Sequence, residues 1–536
     1  MKTRYFKVSS IPLPSQLQNS NDNIENDSKL GDVENDLLAL ELNERGYCIA
    51  RVIEELDDNM QSITKEFKEK YSNRYTPTSI QVLGMLPNES GIASSFKKKD
   101  KEFFASIVSL EVKSIDRIEP TEKESYMASS PLQIMTYNAE LLWKEKYVNS
   151  LYSSYLPNNT KIDIFTNNQI FGYRNKVEFG FYEDRAIDGK EYNLYLSFFK
   201  REGNKGKYTL EQGSMLMPDN VNDLALAVVE VLKKYKVSAK SLKTLLLRSS
   251  SIEQGSIGQK GGKYPNIIAS LYVTDKELLK NNTGLQEALQ ELSLNKFGGA
   301  NNPTNEDVKN YPLVAINVIF SNGNSPASIT TNRLCGNQFT LSQKLKYGTY
   351  DFSVDGFFQI NPIVFCETIT DIETIVKKIS PAPSIIMDMY CGVGVIGQEL
   401  ALSLKSDKEL KSENTTVNII GVDLSSESNE LTVANASQNG VSNYKFIPTS
   451  AKSAINQITK KAVIILDPPR IGLEQEVVDK LIEIKPAHVI YLSCNPATQA
   501  RDFRMLKRVY KIEYIKGYNY YPRTTHLESL IYLTLK

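Results

Sequence analysis

The sequence predicts an α/β protein in three parts: a doubly wound parallel-sheet domain over residues 356–536, a mainly antiparallel β domain over 129–355, and a small α+β region over 1–128. Three observations carry that reading. The chain has 536 residues, more than one core organises, since domains run to roughly 100 to 200 residues each. Strand-like runs broken by turn residues crowd its middle. Beyond residue 356 the pattern changes, and short apolar runs alternate with stretches of helical period.

In the first region, 14–36 (PSQLQNSNDNIENDSKLGDVEND) is polar and nearly free of large apolar residues, so burial cannot offset the entropy of ordering it and a mobile insertion is expected. Tyr5-Phe6-Lys7-Val8 and Phe103-Phe104-Ala105-Ser106-Ile107 read as aromatic strands. Strand aromatics serve either as core or as a stacking platform for RNA bases, which makes 1–128 an expected accessory region with RNA binding as its candidate role. The break EPTEKESYMASSP, 119–131, ends it, and a helix near 137–156 is expected to pack on the carboxyl-terminal domain.

In the middle, YRNKVEFGFYED, YNLYLSFFKREG, SLKTLLLRSS, NIIASLYVTD and YPLVAINVIFSNG are β-branched and aromatic runs bounded by turn residues, the pattern of an antiparallel sheet. Loops are expected at 249–263 and 299–306, where Gly, Ser and Asn cluster. In the last part, SIIMDMY, NIIGVD, AVIILDPP and HVIYLSC are almost continuously apolar, as strands covered on both faces must be. Helical stretches at about 395–405, 425–438, 473–485 and 496–508 separate them, giving βαβ units, with 403–416 as a long hydrophilic loop.

Composition narrows the class of partner. Sixty-three Lys plus Arg balance sixty-three Asp plus Glu, so no bulk positive field advertises nucleic acid and such a partner must be met by local patches. With 41% hydrophobic and 24% charged residues, no apolar run near the start and none of about 18 residues anywhere, a soluble intracellular monomer without membrane association is expected, whether in cytoplasm, nucleus or organelle. Five widely spaced cysteines without a CxxC pair argue against a disulfide framework or zinc knuckle, and two histidines cannot build a histidine-rich metal site, so no metal is expected.

In an open α/β sheet ligands bind at the carboxyl ends of the strands. The first such turn, Asp388-Met-Tyr390-Cys391-Gly392-Val-Gly394-Val-Ile-Gly397, lets backbone approach a ligand closely and fits GxGxxG, a pattern shared with nicotinamide and flavin sites. The next strand ends in Asp423, a carboxylate placed to accept hydrogen bonds from ribose hydroxyls, so either kind of adenosine cofactor is open at this point. The third end, Asp467-Pro468-Pro469-Arg470, sets a carboxylate and a rigid corner where a substrate lies. The fourth, Ser493-Cys494-Asn495-Pro496, puts a cysteine before the start of a helix, whose dipole favours thiolate. Cys391, inside the glycine turn, suits packing better than attack.

DMYCGVGVIG, VDLSSE, LDPPRIGL, LSCNPAT and YYPRTTHLES, in this order and spacing, resemble the RNA (uracil-5-)-methyltransferase family, and PLQIMTYNAELLWKEK, FGYRNKVEFGF and FSVDGFFQINP extend the resemblance over about 131–536. The wording CGVGVIG and GYRNKVEF is nearer the eukaryotic transfer-RNA members. The resemblance implies a Rossmann-like domain that binds S-adenosyl-L-methionine, an RNA substrate, expected to be tRNA, and 5-methyluridine as product. It implies Cys494 as nucleophile and Glu528 as base, with Gln359, Tyr390, Gly392, Asp423 and Asp467 around the cofactor and target base. Asn519 and Thr449-Ser450 depart from the family's pattern, which bears on the adenine contact. Some bacterial ribosomal-RNA members hold an iron-sulfur cluster on four amino-terminal cysteines; Cys48 is the only cysteine here before residue 335, so no such cluster is expected.

The implied chemistry starts from uracil, whose C5 is a poor nucleophile until a thiolate adds at C6. The adduct must then lose its C5 proton to a base before the cysteine leaves. The target is buried in a stack and must be flipped out to reach the site. Between 501 and 523, Arg501, Arg504, Lys507, Arg508, Lys511, Lys516 and Arg523 face only Asp502 and Glu513, a local basic rim for phosphates, and Arg174 and Lys176 add basic groups between Tyr173 and Phe179. His526, two residues before Glu528, is expected on its face of the last strand. Three rivals compete: an RNA-folding protein with a vestigial site, a nicotinamide-dependent dehydrogenase, which leaves SCNP and DPPR unexplained, and a cytosine-5 methyltransferase, which would place a Pro-Cys pair where DPPR stands. Ribosomal RNA is the alternative substrate.

Overall fold

Local pattern becomes architecture through pairing over long distances, seen in a computed structural model that describes residues 4–9, 42–43, 45–56, 79–99, 102–123, 125–157, 160–185, 192–201, 206–250, 266–293, 314–325, 328–329, 332–406, 417–424 and 426–536. The expected insertion 14–36, the loop 299–306 and most of the loops 249–263 and 403–416 lie outside these. The chain divides into two compact units, the first made of Met1–Ser154, Phe198–Tyr208 and Arg523–His526, the second of the remainder.

The first unit is a closed barrel of β1 (Tyr5–Ser9), β2 (Tyr47–Leu56), β3 (Ser79–Leu83), β4 (Ser90–Lys99) and β5 (Glu102–Val112). It closes because β1 pairs antiparallel with both β2 and β4, while β3 pairs parallel with β5. Alternation along β1 sends Phe6 and Val8 inward, and Phe6 packs edge to face on Phe103 with centroids 6.0 Å apart. Phe6, Phe103 and Phe104 are all buried, so of their two possible uses the aromatics serve as core. The strands expected in that region close into a β barrel, followed by a short helix at Tyr126–Ser129. The expected helix forms as α1 (Tyr137–Tyr152), capped by Thr136, whose hydroxyl accepts from the Ala139 N–H. It belongs to the first unit, where buried Glu140 pairs with buried Lys144 at 2.8 Å and accepts from the Arg523 N–H at 3.0 Å. That membership carries the first unit past the expected boundary at 128.

In the second unit β6 (Ile164–Phe165) precedes the central strands β7 (Lys176–Arg185), β8 (Tyr192–Phe199), β9 (Lys207–Leu210), β10 (Leu242–Ser249), β11 (Ile267–Val273), β12 (Val314–Phe320) and β13 (Asn332–Cys335). These seven form one sheet in the order 13-12-11-10-7-8-9, antiparallel as expected except between β11 and β12. A hairpin, β14 (Thr340–Lys344) and β15 (Thr349–Ser353), leads to helix α2 (Pro362–Lys377), with proline at its first position and Asn361 as cap.

The α/β part follows as β16 (Ile385–Met389), α3 (Val395–Ser406), β17 (Asn418–Asp423), α4 (Ser426–Gln438), β18 (Tyr444–Pro448), β19 (Ala462–Leu466), α5 (Gln475–Ile484), β20 (His488–Ser493), α6 (Pro496–Leu506), β21 (Tyr510–Tyr518) and β22 (Glu528–Leu535). The sheet order is 18-17-16-19-20-22-21-6. Every residue of β19 is buried, as a strand covered on both faces requires. Among the described residues no helix is long and apolar enough to cross a membrane.

Candidate active site

The chain moves outward from β16 to β17 and β18, then returns to place β19 on the other side of β16. At such a switch point the connections leave in opposite directions and a crevice opens at the carboxyl ends. Asp388 and Tyr390-Gly392 come from the end of β16, Asp423 ends β17, Asp467 follows β19 and Cys494 follows β20. Glu528 reaches the same edge because β22 runs antiparallel to β20 with Ser529 opposite Ser493. Cys494 and Glu528 flank that last pair, and the Glu528 carboxylate is close enough to act on the Cys494 thiol.

The glycine turn is left-handed at Tyr390 (φ 64°), Gly392 (55°) and Gly394 (82°). Only Gly adopts such angles without steric cost, and a Cβ on Gly392 would meet nothing within 4 Å, so the backbone there fronts open space. Gly392 donates its N–H to Asp423 Oδ2 at 2.9 Å, tying the turn to the end of β17. The pocket above it is lined by Phe358, Gln359, Tyr390, Gly392, Val395 and Asp467. Four of the expected cofactor residues thus line one pocket, and the fifth, Asp423, is bonded to its floor. Gln359 is 6% exposed and its Oε1 is buried with no partner in the protein. A buried polar atom left unpaired costs about 1–3 kcal/mol, and a ligand's donor removes that cost. Tyr390 donates its hydroxyl to Glu474.

Asp388 is turned beneath this surface. It is fully buried, accepts from the Gly397 N–H at 2.9 Å, and burial pushes its carboxyl up to about 7. It holds the turn together from below.

Cys494 sits half-buried in a turn fixed on both sides. Asn495 donates its N–H to Ser493 Oγ at 3.1 Å, and the Asn495 and Thr498 side chains both donate to the Arg470 carbonyl at 3.2 Å. Burial first, then the Glu528 and Asp467 carboxylates, push the thiol up to about 12, while the Arg470 side chain pulls it down. Glu528 is 2% exposed; Tyr521 Oη donates to its Oε1 at 3.3 Å and its Oε2 has no partner in the protein. Burial and Asp467 hold its proton well above the usual carboxylate range. Burial raises Asp467 itself to about 7, with Asp388 adding to it. A carboxyl so raised is a stronger base once ionised.

In the free protein, Glu528→Gln removes a carboxyl whose ionised form opposes the thiolate, and so lowers the Cys494 thiol. Iodoacetamide reacts with the thiolate, so it should label Cys494 faster in this variant than in the wild type at pH 9. Arg470→Ala should slow the labelling. Mass spectrometry of the Cys494 peptide reads the rates, and equal rates in all three proteins would contradict the charge balance described.

Other expectations change. His526 lies before the first residue of β22, so strand alternation does not put it on the face of Glu528. The basic rim is thinner than its sequence: Lys516 is held by Asp371 at 2.7 Å, Lys511 by Glu513 at 2.8 Å, Arg501 by Asp502 at 2.7 Å, and Arg523 is buried. Arg504, Lys507 and Arg508 stay exposed. Ser450 Oγ caps the short helix Ala451–Ala454 by accepting from the Ser453 N–H at 3.1 Å. The Cys391 thiol accepts from Tyr444 Oη at 3.6 Å, and burial raises it well above its ordinary value, in keeping with a packing role. Arg470, Glu474 and Tyr521 were not singled out from sequence; PPRIGL and YYPRTT carried two of them, and nothing local marked Glu474.

The architecture has a counterpart in the solved structure of Pyrococcus abyssi tRNA (uracil-54, C5)-methyltransferase in complex with S-adenosyl-L-homocysteine, at a TM-score of 0.60 and 20% identity over 85% of this chain and 95% of that one. The chain therefore shares the mixed α/β fold of that structure. Residues 336–536 match the model of the tRNA (uracil-5-)-methyltransferase family. An uncharacterized RNA methyltransferase of Listeria monocytogenes is 30% identical over 201 residues, 37% of this chain and 41% of that relative, so the match spans less than half of the relative's length. Another, of Prochlorococcus marinus, is 26% identical over 460 residues, covering 84% of this chain and 99% of the relative.

Proposed function

We propose that this chain is an S-adenosyl-L-methionine-dependent methyltransferase acting on C5 of a uridine in tRNA through a covalent adduct at Cys494. The observation that carries the reading is a buried carboxyl, Glu528, close enough to act on the Cys494 thiol where β20 and β22 end their pairing at Ser493 and Ser529, with Asp467 near enough to raise both groups. The match of residues 336–536 to the tRNA (uracil-5-)-methyltransferase family supports it.

The pocket residues fit an adenosine cofactor: the open backbone at Gly392 accommodates close approach, Gln359 Oε1 lacks a donor, and the Asp423 oxygens accept ribose hydroxyls. Bound S-adenosylmethionine supplies an electrophilic methyl group at its sulfonium. The chain's own residues do the rest. The Cys494 thiol gives its proton to solvent, Arg470 favouring the thiolate, and the sulfur bonds to C6 and drives electrons through the ring toward O4 and C5. Once C5 carries both methyl and hydrogen, Glu528 takes the proton, the C5–C6 double bond re-forms, and the sulfur leaves. Tyr521 donates to Glu528 Oε1 and so leaves Oε2 to face the proton.

Incubation of the full chain with methyl-labelled cofactor and bulk tRNA tests the proposal: 5-methyluridine should appear in digested RNA, and label in another nucleoside, or none, would refute it. Cofactor binding is tested separately with Asp423→Asn. The amide oxygen still accepts from the Gly392 N–H, while a charge-assisted ribose bond of about 1.5–3 kcal/mol is lost. Calorimetry should show at least tenfold weaker binding of S-adenosylhomocysteine; an unchanged constant would assign the ribose to another residue.

A further inference from the structure

A second cavity of about 340 Å³ lies in the same unit, lined among others by Gln169, Arg174, Asn175, Ser249, Ser250 and Asn361. The segment Gln359–Asn361 separates it from the cofactor pocket, contributing Gln359 to one and Asn361 to the other. Asn175 is pinned to that segment, its N–H donating to the Ile360 carbonyl at 3.1 Å and its side-chain nitrogen to the Gln359 carbonyl at 2.9 Å. On the far side Ser249 donates its N–H to the Asn175 carbonyl at 2.9 Å. The side chain is thus fixed, yet Asn175 is 5% exposed and its Oδ1 has no partner. Arg174, anchored by its N–H to the Leu216 carbonyl at 3.0 Å, has a buried Nε that is also unpartnered. Native proteins rarely leave two such groups side by side without a ligand.

The cavity offers a cationic donor and a neutral acceptor, and among the described residues no acidic side chain lines it. Its volume lies at the lower end of the roughly 300–1,000 Å³ typical of ligand pockets, enough for one nucleotide. A guanidinium matches phosphate oxygens, and an amide oxygen matches the N–H of a base edge. Arg174 is also close enough to Tyr521 to act on its ionisation, which brings this cavity beside the catalytic pair. Resting on the proposed reading that Cys494 attacks a uridine drawn out of an RNA, we infer that this cavity receives a second RNA nucleotide, a near neighbour of the target. Arg174 holds its phosphate and Asn175 Oδ1 its base edge. Unstacking the target exposes its neighbours, and a receptor for one of them fixes the strand's register, so Arg174 and Asn175 are specificity-determining residues.

The test uses the full chain and a stem-loop carrying the uridine it methylates, with the two nucleotides on either side replaced one at a time by abasic residues. One replacement should raise KM at least about tenfold with little change in kcat, and Arg174→Gln should do the same to the parent RNA. Combined, the two losses should add no more than about a further twofold, because phosphate and base belong to one nucleotide and losing either hold lets it leave the cavity. Calorimetry with S-adenosylhomocysteine confirms that the variant is folded, and Arg174→Lys, which keeps charge but lacks Nε–H, serves if Arg174→Gln does not fold. Four abasic substrates that react like the parent, or losses that multiply, would overturn the inference. A wild-type chain that methylates no RNA would instead overturn the reading beneath it, and the subsite with it.

Discussion

Cys494→Ala is expected to give neither methylated RNA nor a covalent RNA complex, a fall in kcat on the order of 10⁴-fold or more, as for removal of a nucleophile that every later step requires. The sulfur is the only group the mechanism uses to raise the electron density at C5, and no other thiol takes its place: Cys391, the other cysteine near the sheet edge, is held under the glycine turn by Tyr444. Cofactor binding should be unchanged, because Cys494 is not among the residues lining that pocket. Rapid quench with labelled cofactor measures the rate, and turnover within tenfold of wild type would remove Cys494 from the chemistry.

Glu528→Gln should fail later and differently. The amide fills the same buried space and still accepts from Tyr521 Oη, but it cannot take a proton. Sulfur addition and methyl transfer then occur once, elimination stalls, and a protein–RNA complex resistant to denaturant accumulates with one methyl per cross-link. Release of product should fall by about 10²–10⁴-fold, the usual contribution of a general base. The double variant should behave as Cys494→Ala alone, since both groups serve one path. Denaturing electrophoresis distinguishes the outcomes: full turnover by Glu528→Gln, or an adduct with Cys494→Ala, would show the roles to be misassigned.

The α/β half was legible because its strands are continuous apolar runs and its helices are bounded by them. AVIILDPP and HVIYLSC marked β19 and β20, and the residues just past them could be read as site residues before any pairing was known. Other features depend on contacts that no local pattern announces. β6 has two residues and joins the sheet beside β21 from far upstream in the chain; β18 is half-exposed without strict alternation. Barrel closure rests on β1 pairing at both edges, whereas the sequence displays only short aromatic strands. Glu528 shows most clearly how this works. By residue type it is an ordinary surface glutamate near a chain end, and only the pairing of β22 with β20 and β21 buries it beside the cysteine. Charge misled for the same reason: Lys516 counted toward the basic rim until α2 brought Glu367 and Asp371 against it.

The most direct test of the central claim is the mass of the peptide containing Cys494, isolated by protease and nuclease digestion from a Glu528→Gln reaction with tRNA and cofactor. The account predicts that this peptide carries one nucleotide of uridine plus one methyl group, attached at sulfur. An unmodified Cys494 peptide alongside methylated RNA, or the nucleotide found on Cys391, would contradict it.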